Sequence, residues 1–487
     1  MKFSFINPRP NDPKHTTMTY STPPLGILYI AAILEKAGVE VSALDQTSKN
    51  HSLESAVDWA MKENPEILGI STLMSSSLTA PKIAEKVKER NPNVIIVFGN
   101  HHATCNSERI LRKYPYVDII VRGEGEQTCL QLVDCLEAHG SLKDVPGITF
   151  RHNGEIISNP DRPLIKDVDS LPFPYRDLLD AEYHNTTVGI VTAPKKFTTI
   201  LSSRGCVFRC RFCSCTSMAH NLWRPRSVKN ILEELHLLKS QGYRQLMFVD
   251  DNLTLDQNRV IELCQRMRKE KIDMEWICEG RVDQYSFTMF REMAKAGCRV
   301  LYFGIESANQ KVLDYYGKGI TPNQSQKATK LARRAGIDVI VGSFIIGAPN
   351  ETQKDVQRTL DFAQQLDIDI PQIGILLANP GTLLWEEYKN KGLLDETKYW
   401  ESGVSVSDIY PDTIPKHELL RMINKYYKNY LTSSRYILKQ IFLTIKSSYR
   451  RNIVINNLSR AEIIKNSINN LTPEKNNLPL AYKPLKT

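Results

Sequence analysis

The chain has 487 residues, 41% of them hydrophobic and 24% charged, too long for one ordinary domain and too apolar for a disordered chain. The longest apolar run, Val339–Ala348, is about half a bilayer span, and the opening MKFSFINPRPND has no apolar signal core, so a cytoplasmic protein is expected. The net charge of +9 is local: from Arg421 onward 13 Lys and Arg stand against Glu462 and Glu474, an excess of +11 that leaves about −2 elsewhere.

Residues 1–140 alternate apolar strands (Lys2–Ile6, Val39–Leu44, Ile67–Thr72, Val94–Gly99, Asp118–Arg122) with helically spaced segments (Leu25–Ala37, Leu53–Lys62, Ala80–Glu89, Glu108–Lys113, Glu126–Ala138). That alternation predicts an α/β, doubly wound, Rossmann-like sheet whose ligand lies beyond the carboxyl ends of its strands. Two polar, glycine-bearing loops fall there: Gly99-Asn100-His101-His102-Ala103-Thr104 and Gly123-Glu124-Gly125-Glu126. Residues 141–194 lose the rhythm; a hairpin at Asn153-Gly154 and the segment Leu171-Pro172-Phe173-Pro174 predict a linker. From 195 to 400 the alternation returns with strands at Thr199–Ser202, Gln245–Asp250, Trp276–Gly280, Val300–Ile305, Asp338–Ile346 and Gln372–Leu377. Six such units predict a (β/α)6 partial barrel with its active residues at the C-terminal strand ends. Residues 401–487 read as a helical region with a Lys- and Asn-rich, disordered basic end.

Of ten cysteines, four crowd together at 206, 210, 213 and 215 and six are scattered. This is the pattern of metal ligation plus buried thiols rather than of a disulfide framework. The spacing C-x3-C-x2-C of Cys206, Cys210 and Cys213 follows the first barrel strand, and three such thiolates can hold three irons of a [4Fe–4S] cube, leaving the fourth open to a chelating substrate. A structural zinc site would need a fourth ligand, and Cys215, two residues past Cys213, suits that role poorly.

This motif, with Phe212 just before its last cysteine, resembles the radical S-adenosylmethionine superfamily over about residues 195–380. The resemblance implies S-adenosylmethionine contacts from Phe212, from Asp250 and Asp251 after the second strand, and from Arg281 after the third. It also implies contacts from Glu306 and Ser307 after the fourth strand and from Gly347 in a glycine-rich segment after the fifth. The domain ahead of the barrel resembles the cobalamin-binding domain of the cobalamin-dependent members. The contacts this implies are Gly26, Thr47, Ser71, Gly99, His102, Thr104, Gly123, Glu124, Gly125 and Glu126. Asn100 stands where that family has a second glycine, and Thr47 where cobalamin-dependent mutases carry the histidine that ligates cobalt from below. The lower face of cobalt is therefore expected to lack a protein ligand, with His102 as the alternative.

The resemblance implies that a reduced cluster splits S-adenosylmethionine into methionine and a 5′-deoxyadenosyl radical, while cobalamin relays a methyl group from a second S-adenosylmethionine to an unactivated carbon. Cyclisation or rearrangement of a carbon skeleton is the alternative within the class, and a non-catalytic cobalamin or iron–sulfur sensor the alternative outside it. A flavodoxin- or ferredoxin-type reductant and a small-molecule or lipid substrate are implied as partners. The Tyr-, Ile- and Lys-rich stretch from Tyr426 to Lys446 is read either as peripheral contact with an anionic membrane or as a helical cap on the barrel. No nucleic-acid-binding module is recognisable.

Overall fold

The structure, a computed structural model, describes residues 1–11, 22–48, 51–187, 190–349, 351–402 and 414–458. The first unit is built on a sheet of β1 (Lys2–Asn7), β2 (Glu40–Asp45), β3 (Ile67–Ser71), β4 (Ile95–Gly99) and β5 (Ile119–Val121), all parallel. Period-two alternation gives this sheet two buried faces. Phe3, Phe5, Ile67 and Val97 pack under α1 (Leu25–Lys36), whereas Ile6, Leu68, Ile70 and Phe98 pack under α2 (Leu53–Glu63) and α3 (Thr79–Arg90). Helices on both faces of a parallel sheet make the doubly wound layer expected of the alternation.

Two parts of this unit differ from the sequence reading. The loop after β4 is a helix from its first residue, α4 (Asn100–Cys105), followed by α5 (Ser107–Lys113) and, after β5, by α6 (Glu126–Glu137). The stretch 141–194 is not a free linker. Its Asn153-Gly154 hairpin pairs β6 (Ile148–His152) with β7 (Glu155–Ser158), and β6 runs antiparallel to β5, so the sheet has seven strands in the order β2-β1-β3-β4-β5-β6-β7. Past the proline-rich segment, buried Arg176 donates to Glu234 at 2.6 Å, and Arg226 donates to the same carboxylate at 2.5 Å. The connection thus becomes part of the second unit's core, because a buried charge must find its partner.

That second unit is a sheet of β8 (Phe197–Ile200), β9 (Gln245–Phe248), β10 (Glu275–Arg281), β11 (Cys298–Glu306), β12 (Val339–Ile346) and β13 (Ile370–Ile375). Its strands pair in sequence order, all parallel, and its first and last strands do not meet, so the barrel is open. Among the described residues of the C-terminal region, three helices follow. On α7 (Lys416–Leu431), the buried Tyr427 hydroxyl donates to the Pro371 carbonyl and accepts from Ile373 N–H, both at 3.0 Å. α8 (Ser434–Lys446) lies outside it, and α9 (Ser448–Leu458) sends Tyr449 and Ile453 among Met247, Ile277, Val300 and Val339, where they plug the barrel interior. Part of the C-terminal region is therefore a cap, as one of the two sequence readings held. The Lys- and Asn-rich end lies outside the described residues. Among those described, no helix is long and apolar enough to cross a membrane.

Candidate functional site

The cysteine loop springs from the end of β8 and is fixed at its root by Asp250. That buried carboxylate accepts from Ser202 N–H at 2.8 Å, Ser202 Oγ at 2.6 Å and Ser203 Oγ at 2.5 Å. Asp250 thus serves the loop rather than facing the barrel mouth, while its neighbour Asp251 accepts from Gly205 N–H at 3.0 Å. Gly205 has φ of +86°, and a Cβ there would come within 2.1 Å of the Leu222 carbonyl oxygen, so no larger residue fits. Further along, Arg211 N–H donates to the Tyr316 carbonyl and the Arg211 carbonyl accepts from Leu384 N–H, each at 2.9 Å. Phe212 sets its ring edge-on to Tyr316 with centroids 5.3 Å apart.

The three thiols of this loop share one electrostatic neighbourhood, Cys206 and Cys213 each sensing Cys210. Burial pushes both thiols up, Cys213 to about 11, so a metal bound there would have to displace their protons. Among the described residues no three His, Cys, Asp or Glu side chains converge on a single-ion position. Three thiols on one loop, within electrostatic reach of one another, are the donor set that a [4Fe–4S] cube would take. Two buried cations flank it. Arg281 lies 3.5 Å over the Phe208 ring and is held by Asp283 at 2.9 Å, and Lys318 Nζ pairs with Glu306 at 2.8 Å. Burial lowers the Lys318 ammonium, but Glu306 and Cys210 outweigh it and keep the group charged.

Glu306 sits at a register shift in β11 with φ of +65°, a strained conformation for a non-glycine residue and one typical of sites that aim a side chain. Glu279, exposed between buried Cys278 and Gly280 on β10, turns toward the same mouth, within electrostatic reach of Asp251, Lys318 and Glu306. Ser307 does not join them: it is buried against Thr359 Oγ1 at 3.2 Å and caps Asn309 N–H at 3.1 Å. Gly347 N–H donates to Glu351 at 2.7 Å, and a Cβ on Gly347 would meet Leu419 of α7 at 2.9 Å.

A cavity of about 460 Å³ lies between the two units. Its walls include Gly26, Ser71, Gly99, Gly123, Glu124, Gly125 and Glu126 from the first unit and Arg204, Gly205, Ser214 and Cys215 from the cysteine loop. It runs down to Phe3, Phe5 and Val97 on the sheet and Cys129 on α6, and a Cβ on Gly69 would stand 2.8 Å from the Phe5 ring. A polar mouth over an apolar slot kept open by glycine suits the nucleotide tail of a cobalamin, which would enter it. Asn100 accounts for the departure from the family motif. Its φ is +77°, left-handed backbone that asparagine tolerates better than most residues, and its amide donates to Ser71 Oγ at 2.9 Å.

Three expected cobalamin contacts lie off this cavity. Thr47 N–H donates to Asp45 at 3.2 Å at the end of β2, and the Thr104 hydroxyl accepts from Gly123 N–H at 3.1 Å, shaping the loop from behind. His102 is buried on the far side of α4, its Nδ1 3.1 Å from the Tyr399 hydroxyl and its ring 5.7 Å from Trp400. Its neighbour His101 lines the cavity instead, 3.4 Å from Ser217 Oγ. One residue on a helix turns a side chain by about 100°, and with the loop read as irregular nothing favoured one histidine over the other.

Burial depresses the His102 imidazole to about 4 from its ordinary 6.5. A depressed pKa stabilises the fold above 6.5 and loses that contribution as pH falls toward 4, a loss of about 2 kcal/mol at pH 5. Urea unfolding of the apo chain at about pH 7 and pH 5 should show this loss, and His102→Gln should abolish its share of the pH dependence.

Arg204 joins the two units. It donates to Glu124 at 2.9 Å and to Glu126 at 2.5 Å, and Arg224 donates to the second oxygen of Glu124 at 2.9 Å. Burial pushes the Glu124 carboxyl up, but the two guanidiniums outweigh it and hold it below the usual range. The Gly-Glu-Gly-Glu loop thus spends its carboxylates on the barrel, a pairing across 80 residues with no local sequence signal.

Comparison with known proteins agrees with this arrangement. The family model of the radical SAM superfamily matches residues 200–363, and that of the B12 binding domain matches residues 15–133. The chain is 35% identical over 422 residues to an uncharacterised methyltransferase of Pyrococcus horikoshii, spanning 86% of this chain and 90% of that protein. It is 27% identical over 427 residues to the anaerobic magnesium-protoporphyrin IX monomethyl ester cyclase of Rubrivivax gelatinosus, spanning 85% and 75%. Among solved structures, the radical S-adenosylmethionine methyltransferase TsrM of Kitasatospora setae, with cobalamin and [4Fe–4S] cluster bound, shares the fold. Its TM-score is 0.66 at 15% identity, over 80% of this chain and 75% of that one. With a B12 binding domain ahead of an open barrel that carries the cysteine loop, the chain belongs to the cobalamin-dependent branch of the radical SAM enzymes.

Proposed function

We propose that the chain methylates an unactivated carbon of a small-molecule substrate, holding a [4Fe–4S] cluster on Cys206, Cys210 and Cys213 and cobalamin in the cavity between the units. The observation that carries this reading is the shared wall. Arg204, Gly205, Ser214 and Cys215 of the cysteine loop line the same cavity as Gly99, Gly123 and Gly125, so both cofactor sites open on one space. When bound, the cluster supplies an electron to S-adenosylmethionine and cobalamin supplies a transferable methyl group; the hard chemistry is theirs. The chain's own residues bind, orient and shield. Lys318 and Arg281 set fixed positive charge beside the thiolates, and Glu306, Glu279 and Asp251 offer carboxylates at the barrel mouth where a cationic ligand would dock. A flavodoxin- or ferredoxin-type protein is the expected electron donor.

The methyltransferase of P. horikoshii favours methyl transfer, and the cyclase of R. gelatinosus favours ring closure as a second reading. Anaerobic reduction with methyl-deuterated S-adenosylmethionine and candidate substrates separates them. Methylation yields S-adenosylhomocysteine, 5′-deoxyadenosine and a deuterated product, whereas 5′-deoxyadenosine with an unlabelled product would move the assignment to cyclisation or rearrangement.

A further inference from the structure

Helix α8 buries none of its residues, yet it is rich in large apolar side chains. Ile437, Leu438, Ile441, Phe442 and Ile445 are 45%, 66%, 52%, 55% and 68% exposed. Their spacing of i, i+1, i+4, i+5 and i+8 places them on one face. The opposite face anchors the helix. Tyr436 Oη donates to the Asp369 carbonyl at 3.2 Å, and Lys439 Nζ donates to the Ile368 carbonyl at 3.0 Å and pairs with Asp367 at 2.9 Å. The apolar stripe is thus turned outward by the contacts that hold α8 in place, and no rearrangement is needed to present it. Along residues 421–458 the charge has one sign, while Asp367, from the connection into β13, is paired with Lys439. Arg435, Lys446 and Arg451 are exposed, Lys446 Nζ lies 3.9 Å over the Phe442 ring, and residues 421–458 contain no Asp or Glu.

We propose that this face is an in-plane membrane anchor that seats α8 on an anionic lipid surface. Apolar side chains rimmed by cations are the signature of an interfacial helix, the chains entering the acyl boundary and the ammonium groups meeting lipid phosphates. A second copy of this chain is the poorer occupant for two reasons. A two-fold contact through the stripe would bring Arg435, Lys446 and Arg451 against their own copies, like charge on like. At about 200 Å² for a large side chain the stripe also offers only on the order of 500 Å², below the ~800 Å² per partner of a stable dimer. The inference stands independently of the reaction proposed above.

Flotation of the full chain with vesicles of phosphatidylcholine alone, or with added phosphatidylglycerol, tests it. The chain should float with the anionic vesicles at about 0.01 M salt, where the Debye length is ~30 Å, and weaken steeply toward 1 M, where it is ~3 Å. Exchanging two exposed residues, Ile441→Glu with Phe442→Glu, should cut vesicle binding about tenfold or more while the iron content and thermal unfolding stay unchanged. Wild-type chain that ignores anionic vesicles at low salt overturns the proposal, as does a variant that binds like wild type. A wild-type dimer that the variant renders monomeric also overturns it, by assigning the stripe to a second copy.

Discussion

Replacing any one of Cys206, Cys210 or Cys213 by Ala should reduce reconstituted iron from about four per chain to near zero and abolish formation of 5′-deoxyadenosine. On the proposed assignment each of these thiolates would hold one iron of the cluster, so none could be spared. Cys215, the only other thiol nearby in sequence, faces the cavity between the units. Burial first and Asp251 second push that thiol up, as burial does for Cys206 and Cys213, so its place on the cavity wall and not its acidity sets it apart. Cys215→Ala should therefore keep the cluster, its charge-transfer absorption and 5′-deoxyadenosine formation. The loop itself is held by Asp250, Asp251 and Tyr316, none of which contributes a thiol. A single Cys→Ala change should accordingly leave the apo chain's thermal unfolding within a few degrees of wild type. A Cys206→Ala chain that still binds four irons, or a Cys215→Ala chain that binds none, would transfer the ligand role to Cys215.

The cysteine motif was legible because its information is short-range: two spacings and a position after a strand. The doubly wound sheet and the open barrel were legible for a related reason, since hydrophobic periodicity reports which faces are buried. What escaped reading depends on partners distant in the chain. His102 and His101 are adjacent in sequence, and only the phase of α4 decides that His101 faces the cavity and His102 faces Tyr399. Asp250 and Asp251 looked equivalent at a strand end, yet one is consumed by Ser202 and Ser203 while the other reaches the loop's glycine. Lys318 follows no motif and meets Glu306 12 residues away, at the place where β11 shifts register. The stripe on α8 has clear helical periodicity, but a periodic pattern states that one face differs from the other. It does not state which face the protein covers.

Arg204→Ala should open the joint between the two units and weaken hydroxocobalamin binding at least tenfold while leaving about four irons on the cysteine loop. The guanidinium is largely buried, its side chain 12% exposed, and Glu124 and Glu126 are 14% and 5% exposed. Burial lowers the Arg204 pKa, but Glu126 and Glu124 outweigh it and keep the group charged. Removing it leaves Glu126 without that partner and Glu124 dependent on Arg224 and the Ile165 N–H alone. Breaking one side of such a buried network costs about 3–5 kcal/mol, or roughly 10 °C in thermal midpoint for a unit of this size. The relief available to the chain is to let water reach the two carboxylates. That means moving the wall formed by Arg204, Gly205 and Ser214 away from the wall formed by Gly123 and Gly125. The cavity then loses one side, whereas the cluster loop keeps its own ties to Asp250 and Tyr316. Arg204→Lys sharpens the test, because an ammonium keeps the charge but loses the planar guanidinium fork that sets the geometry of the pair. It should recover part of the thermal midpoint and less of the cobalamin affinity. Titration of the reconstituted chain with hydroxocobalamin, followed by its visible spectrum, gives the affinities. An Arg204→Ala chain that binds cobalamin as tightly as wild type would mean that the latch does not hold the cavity together.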